Sequence, residues 1–200
     1  MRQELQDRGG NTALLVIDVQ NAVVEDGFDS QAVVERIGKV VDAARTAGMP
    51  IVYVQHEDEW MTPGTEGWHI RPEVAPVVGE TIVAKRYPDA FVETTLVDTL
   101  AALGAGHLII AGAQSDACIR ATSHRALSEG YDVTLISDAH TTSEREFGGV
   151  TVTAEQNVAQ VNAAAPWILY PSTTSALATH DEIIAGFGVA ESALQTSLAS

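Results

Sequence analysis

The sequence predicts a three-layer αβα fold on a doubly wound, mostly parallel six-stranded sheet of the Rossmann-like kind. Three observations predict it. Short apolar runs rich in β-branched residues, such as Ala13–Val19 (ALLVIDV), Pro50–Gln55 (PIVYVQ) and Leu108–Ile110, read as strands buried on both faces. Between them lie amphipathic segments with apolar residues near the helical period, closed by glycine. This alternation runs along the 200 residues without a repeat, a composition break or a linker. One domain over residues 1–200 is therefore expected, with ligands at the carboxyl ends of the strands.

Residues 1–11 (MRQELQDRGGN) are polar, broken at Gly9-Gly10, and read as a short arm. The first strand, Ala13–Val19, carries a single charge, Asp18. Burying a carboxylate there is costly unless it is paired or hydrogen-bonded, so Asp18 either caps the next turn or has a functional partner. Gln31–Ala47 places Val33, Val34, Ile37, Val40, Val41 and Ala44 on one face and stops at Gly48, an amphipathic helix. Pro50–Gln55 is the second strand. Glu57–Val78 is a long polar loop with Trp60, Trp68 and His69, which either covers something apolar or anchors itself to the sheet. Thr81–Ala84 is the third strand, followed at once by Lys85-Arg86-Tyr87, and Glu93–Leu103 is a helix ended by Gly104.

His107–Cys118 (HLIIAGAQSDAC) is the organising stretch. Its strand enters a turn of small residues, Ala111-Gly112-Ala113, where backbone can approach closely. Ser115 or Asp116 is expected to cap a helix that begins near Ala117 and ends at Gly130. Cys118, the one cysteine, then lies in the first helical turn, where the dipole favours a thiolate and free backbone N–H groups can stabilise an oxyanion. A small buried core thiol is the alternative. Asp132–Ser137 is the fifth strand, Thr153–Ala163 a helix and Trp167–Tyr170 the last strand. A weakly helical tail follows at 172–200, with Ile183, Ile184 and Phe187 expected against the body or another subunit.

Composition narrows the function. The chain is 46% hydrophobic and 19% charged, a globular balance. A net charge of −16 with no lysine or arginine run disfavours nucleic acid and membrane partners. A single cysteine excludes an intramolecular disulfide framework and fits a reducing compartment. No apolar signal region or membrane-length stretch is visible, so a cytoplasmic protein is expected.

Three strands end in chemistry: Asp18 after the first, Lys85 after the third and Cys118 after the fourth. In an open parallel sheet those ends share one edge, and a thiol, a proton acceptor and an ammonium together suit acyl transfer. The blocks ALLVIDVQN (13–21), KRYPDAFVETTLVDTL (85–100), GAQSDACIRATSHRAL (112–127) and GYDVTLISDAHTT (130–142) make the chain resemble the isochorismatase-like cysteine hydrolase superfamily. That group includes nicotinamidases and N-carbamoylsarcosine amidase. The resemblance implies a catalytic triad of Asp18, Lys85 and Cys118, and a non-proline cis peptide at Ala113–Gln114. It also implies an oxyanion hole from the backbone N–H groups of Gln114 and Cys118, and a homo-oligomer, dimer or tetramer, with the tail at 172–200 as a candidate interface.

The chain departs from nicotinamidases at Val54-Gln55-His56-Glu57-Asp58, which lacks their Asp-x-His metal spacing. His56 and His69 are the nearest thing to a ligand pair, but no metal or cofactor is expected. Cys118 and the absence of a basic cluster argue against vinyl-ether cleavage of the isochorismatase type. The expected activity is a cysteine amidohydrolase acting on a small amide, carbamoyl or lactam substrate through a thioester. Phe28, Gln55, His56, Trp60, Trp68, Tyr87, Phe91 and Gln114 are the candidates for lining its pocket. The competing readings are a non-catalytic binding or assembly protein and a redox-sensing thiol; the latter lacks a resolving cysteine. His124 is expected to be exposed, and His140 to cap a turn or line the rim.

Overall fold

The computed structural model describes residues 8–187. The chain runs β1 (Asn11–Ile17), α1 (Asn21–Val24), α2 (Ser30–Thr46), β2 (Ile51–His56), β3 (Thr81–Lys85), α3 (Leu96–Ala102) and β4 (Ala105–Ala113). A π-helical turn (Ser115–Ile119) leads into α4 (Arg120–Ser128) and β5 (Asp132–Thr141). There follow a small hairpin of β6 (Arg145–Phe147) and β7 (Val150–Val152), then α5 (Ala154–Ala164) and β8 (Ser175–Ala178). Residues 180–187 are helical. Six strands form one sheet in the order β3-β2-β1-β4-β5-β8, every neighbouring pair parallel.

That order explains the apolar runs. The chain builds outward from β1 through β2 to β3, then returns to the other side of β1 to place β4, β5 and β8. Successive residues of β1 face opposite layers. Ala13, Leu15 and Ile17 join a core with Leu96, Leu100, Ile119 and Val161, while Leu14 and Val16 join Val34, Ile37 and Val41 of α2. A strand covered on both faces needs apolar residues at every position. Each such fully buried Leu, Ile or Val contributes about 1.5–3 kcal/mol. The reversal of strand order lies between β1 and β4, so a crevice is expected beyond their carboxyl ends.

Several sequence expectations shift. The apolar run at Trp167–Tyr170 is not the last strand. Trp167 and Leu169 are exposed, Ala165–Trp167 forms a single 3-10 turn, and Ser175–Ala178 takes the edge position beside β5. Pro166 and Pro171 bracket the run and lack the N–H a ladder needs. Asp132 instead receives hydrogen bonds from the backbone N–H and hydroxyl of Thr174 (2.6 and 2.8 Å), pinning the start of β8. The helix expected from Glu93 begins at Leu96, because Glu93 adopts a left-handed φ of 54°. The capping box at Thr153 and Gln156, which starts α5, went unread in the sequence.

The arm expected at 1–11 and the tail at 172–200 lie partly outside the described residues. Within them, Asn11 already pairs in β1, and the Arg8 guanidinium stacks 4.4 Å above the Tyr131 ring. Ile183 is buried against the α2 layer, with Ile184 and Phe187 packed on it. No helix among the described residues is long and apolar enough to cross a membrane.

Candidate active site

The geometry of the crevice starts from Gly112. Its φ is 128°, and a side-chain carbon there would sit 1.9 Å from the carbonyl oxygen of Ile17. The close approach expected of the small-residue turn is thus made by the neighbouring strand itself. It brings the end of β4 hard against the end of β1. Asp18, one residue beyond β1, takes a left-handed φ of 50° and donates its backbone N–H to Val54 (2.8 Å). Aspartate tolerates that conformation better than most residues.

Asp18, Lys85 and Cys118 meet there. The Lys85 ammonium is fully buried, 2.6 Å from Asp18 Oδ2 and 3.3 Å from Cys118 Sγ. Asp18 Oδ1 is buried with no hydrogen-bond partner. Burial raises the Asp18 carboxyl above the ordinary carboxylate range, and the Lys85 charge opposes that rise. The Cys118 thiol is pushed up to about 12, chiefly by burial and then by the Asp18 charge. This corrects the expectation of a helix-end thiolate. Desolvation and a neighbouring carboxylate outweigh the dipole, so the resting group is a thiol beside a base strengthened by burial.

The turn carrying Cys118 is also held differently from expectation. It is π-helical at Ser115–Ile119, and neither expected residue caps it. The Ser115 hydroxyl donates instead to His140 Nδ1 (2.7 Å), and His140 Nε2 donates to Asn162 Oδ1 (2.9 Å). The Asn162 amide in turn donates to the Ser137 carbonyl (2.7 Å), which identifies its oxygen as the acceptor facing His140. His140 is buried, and burial lowers its pKa, which favours the neutral ring. It neither caps a turn nor lines a rim. Asp116 accepts from the Thr142 hydroxyl and from Arg145 on β6. The Ala113–Gln114 peptide bond is cis, and the Gln114 side-chain oxygen accepts from Arg145.

The expected pocket residues divide. His56 points into the cluster, its Nδ1 3.2 Å from Lys85 Nζ and its Nε2 2.9 Å from Asp58 Oδ2. Gln55 is buried and donates to the Trp68 carbonyl (2.9 Å), so it ties down the loop after β2. The Trp68 ring packs edge-on against His69, and its indole N–H is buried without a partner. Phe28 and Tyr87 are partly exposed. Two expectations are corrected. Trp60 is 92% exposed and lines nothing, because Asp58 receives the Trp60 and Met61 backbone N–H groups in a tight turn that leaves the ring in solvent. Phe91 packs in the core against Tyr131, ring centroids 5.8 Å apart.

Sequence reasoning missed Gln20, which is fully buried. Its side chain brackets the His56 backbone, donating to the carbonyl (2.9 Å) and accepting from the N–H (2.8 Å), and donates again to the Trp68 carbonyl (2.8 Å). The signal was a polar residue directly after a buried strand. Among the described residues no three metal-ligating side chains cluster, and both His56 nitrogens already have partners.

The comparisons with known proteins agree with this architecture. The isochorismatase domain model matches residues 12–163, most of the chain. The chain belongs to the isochorismatase family. It is a hydrolase of that family. An isochorismatase family protein of Bacillus subtilis, YddQ, is 33% identical over 72% of this chain and 85% of its own length. Streptothricin hydrolase of Streptomyces noursei is 35% identical over 78% of this chain, which spans 64% of that relative. An isochorismatase of Pseudomonas putida superposes with a TM-score of 0.77 at 27% identity, covering 88% of this chain and 93% of its own.

Proposed function

We propose that this isochorismatase-family hydrolase cleaves the C–N bond of a small amide, carbamoyl or lactam substrate with Cys118 as the nucleophile. The observation that carries the reading is the convergence of thiol, carboxylate and ammonium, with Lys85 Nζ 2.6 Å from Asp18 and 3.3 Å from Cys118. As Sγ bonds to the substrate carbonyl carbon, Asp18 accepts the thiol proton. The free lone pairs on its unpartnered Oδ1 suit that task. Lys85 stabilises the carboxylate before transfer and the thiolate as it forms. The developing oxyanion is received by the backbone N–H groups of Gln114 and Cys118. Asp18 then returns its proton to the substrate nitrogen, the C–N bond breaks, and ammonia or an amine leaves. A water that gives its proton to Asp18 attacks the thioester, releasing the acid and restoring the thiol. No redox step or cofactor enters this balance.

The test is turnover of a panel of simple amides, N-carbamoyl acids and lactams, read as ammonia or amine released, by the wild type and Cys118→Ala. Removing the nucleophile is expected to lower turnover by about 1,000-fold or more. Turnover by the alanine variant at the wild-type rate would overturn the mechanism.

A further inference from the structure

The Lys85 ammonium has three N–H donors and no acceptor. Two of them serve Asp18 and Cys118, and the third serves His56 Nδ1 at 3.2 Å. Because Lys85 can only donate, Nδ1 is the bare nitrogen and Nε2 carries the ring proton. That proton goes to Asp58 Oδ2 at 2.9 Å. The other Asp58 oxygen accepts the Trp60 and Met61 backbone N–H groups, both at 2.7 Å. The His56 backbone is clamped on both sides by Gln20. The ring is therefore fixed in position by the main chain and in tautomer by Asp58.

We infer that His56, oriented by Asp58, is a positioning residue that holds the third N–H of Lys85 and so aims the other two at Asp18 and Cys118. A buried ammonium with one donor unmatched would rotate toward another acceptor or draw in water, either of which loosens its hold on the thiolate as that charge forms. Asp58 acts through the ring, by keeping Nδ1 free of a proton. The arrangement also couples the exposed turn at 58–61 to the buried lysine through two hydrogen bonds. The inference rests on the acyl-transfer reading above.

The probe is p-nitrophenyl acetate, whose attack by Cys118 draws on the same lysine but needs no proton for its leaving group and no knowledge of the natural substrate. p-Nitrophenolate release is followed together with acetylation of Cys118 by intact mass, with Cys118→Ala as the blank and thermal melting as the fold control. His56→Ala is expected to slow acetylation about 10- to 100-fold, the range for losing one hydrogen bond to a charged group. His56→Asn places an amide oxygen near the Nδ1 position and should recover most of that loss. His56→Gln places its amide near Nε2, keeps the contact to Asp58 and should stay slow. Asp58→Asn, on an exposed turn that keeps its backbone contacts, presents an N–H to Nε2, inverts the tautomer and should also slow acetylation. Equal rates in His56→Gln and His56→Asn, or a wild-type rate in either His56→Ala or Asp58→Asn, would overturn the positioning role while leaving the nucleophile in place. Absence of Cys118 acetylation in the wild type would overturn the acyl-transfer reading, and this inference with it.

Discussion

Lys85→Met removes the positive member of the buried cluster and leaves its partners in place. At the observed 2.6 Å, two unit charges attract by about 6 kcal/mol at an effective dielectric of about 20. Much of that attraction offsets the desolvation of side chains that are 0% and 2% exposed. Deleting one partner forfeits the attraction but keeps the desolvation of the other, so the expected loss of stability is about 3–5 kcal/mol at neutral pH. The sign of the pH dependence follows from Asp18. Its carboxyl is already raised by burial, and the Lys85 charge that holds it down is gone in the variant. A folded-state pKa above the unfolded one favours folding in the protonated form, so the penalty should shrink on acidification as Asp18 takes up a proton. Urea unfolding followed by circular dichroism, at about pH 7 and about pH 5, measures both effects. Adding Asp18→Asn to Lys85→Met should recover more than half of the loss, because no uncompensated charge remains. A penalty under about 1 kcal/mol, the level of an exposed ion pair, or one that is the same at both pH values, would refute the reasoning.

Two further outcomes follow from the same crevice. Asp18→Asn removes a charge that raises the Cys118 thiol, so alkylation by iodoacetamide at mildly alkaline pH should accelerate by about tenfold, as one pKa unit of thiol shift implies. Hydrolysis should collapse in the same variant, since the base is gone; alkylation no faster than in the wild type would count against the assigned cause. Gly112→Ala puts a carbon 1.9 Å from the Ile17 carbonyl at a φ of 128°, and a loss of at least about 3 kcal/mol is expected, at the upper end of overpacking costs. A wild-type melting curve would show that β1 and β4 can separate without cost.

Much of the fold was legible because buried parallel strands and amphipathic helices leave patterns that need only local reading. Asp18, Lys85 and Cys118 stood out because each follows an apolar strand, where a titratable side chain requires a reason. The errors have local causes as well. Trp167–Tyr170 has the composition of a strand but is fenced by prolines, and the polar-edged Ser175–Ala178 becomes one because Asp132 captures its start. Trp60 and Phe91 looked alike as aromatic candidates. One sits in solvent and the other in the core, a difference that depends on how the loops after β2 and β3 close.

The sequence by itself determined the layer architecture, the edge of the sheet where the chemistry gathers, and the three residues expected there. Periodicity and strand position are properties of neighbours along the chain, so they can be read without coordinates. Only the tertiary structure decided the state of those residues. It set the thiol high rather than low, left one Asp18 oxygen without a partner, joined His56 and Asp58 to Lys85, and placed His140 behind Ser115. Desolvation, ion pairing and tautomer depend on distances of a few ångströms between residues far apart in sequence, and those distances exist only once the strands have closed on one another.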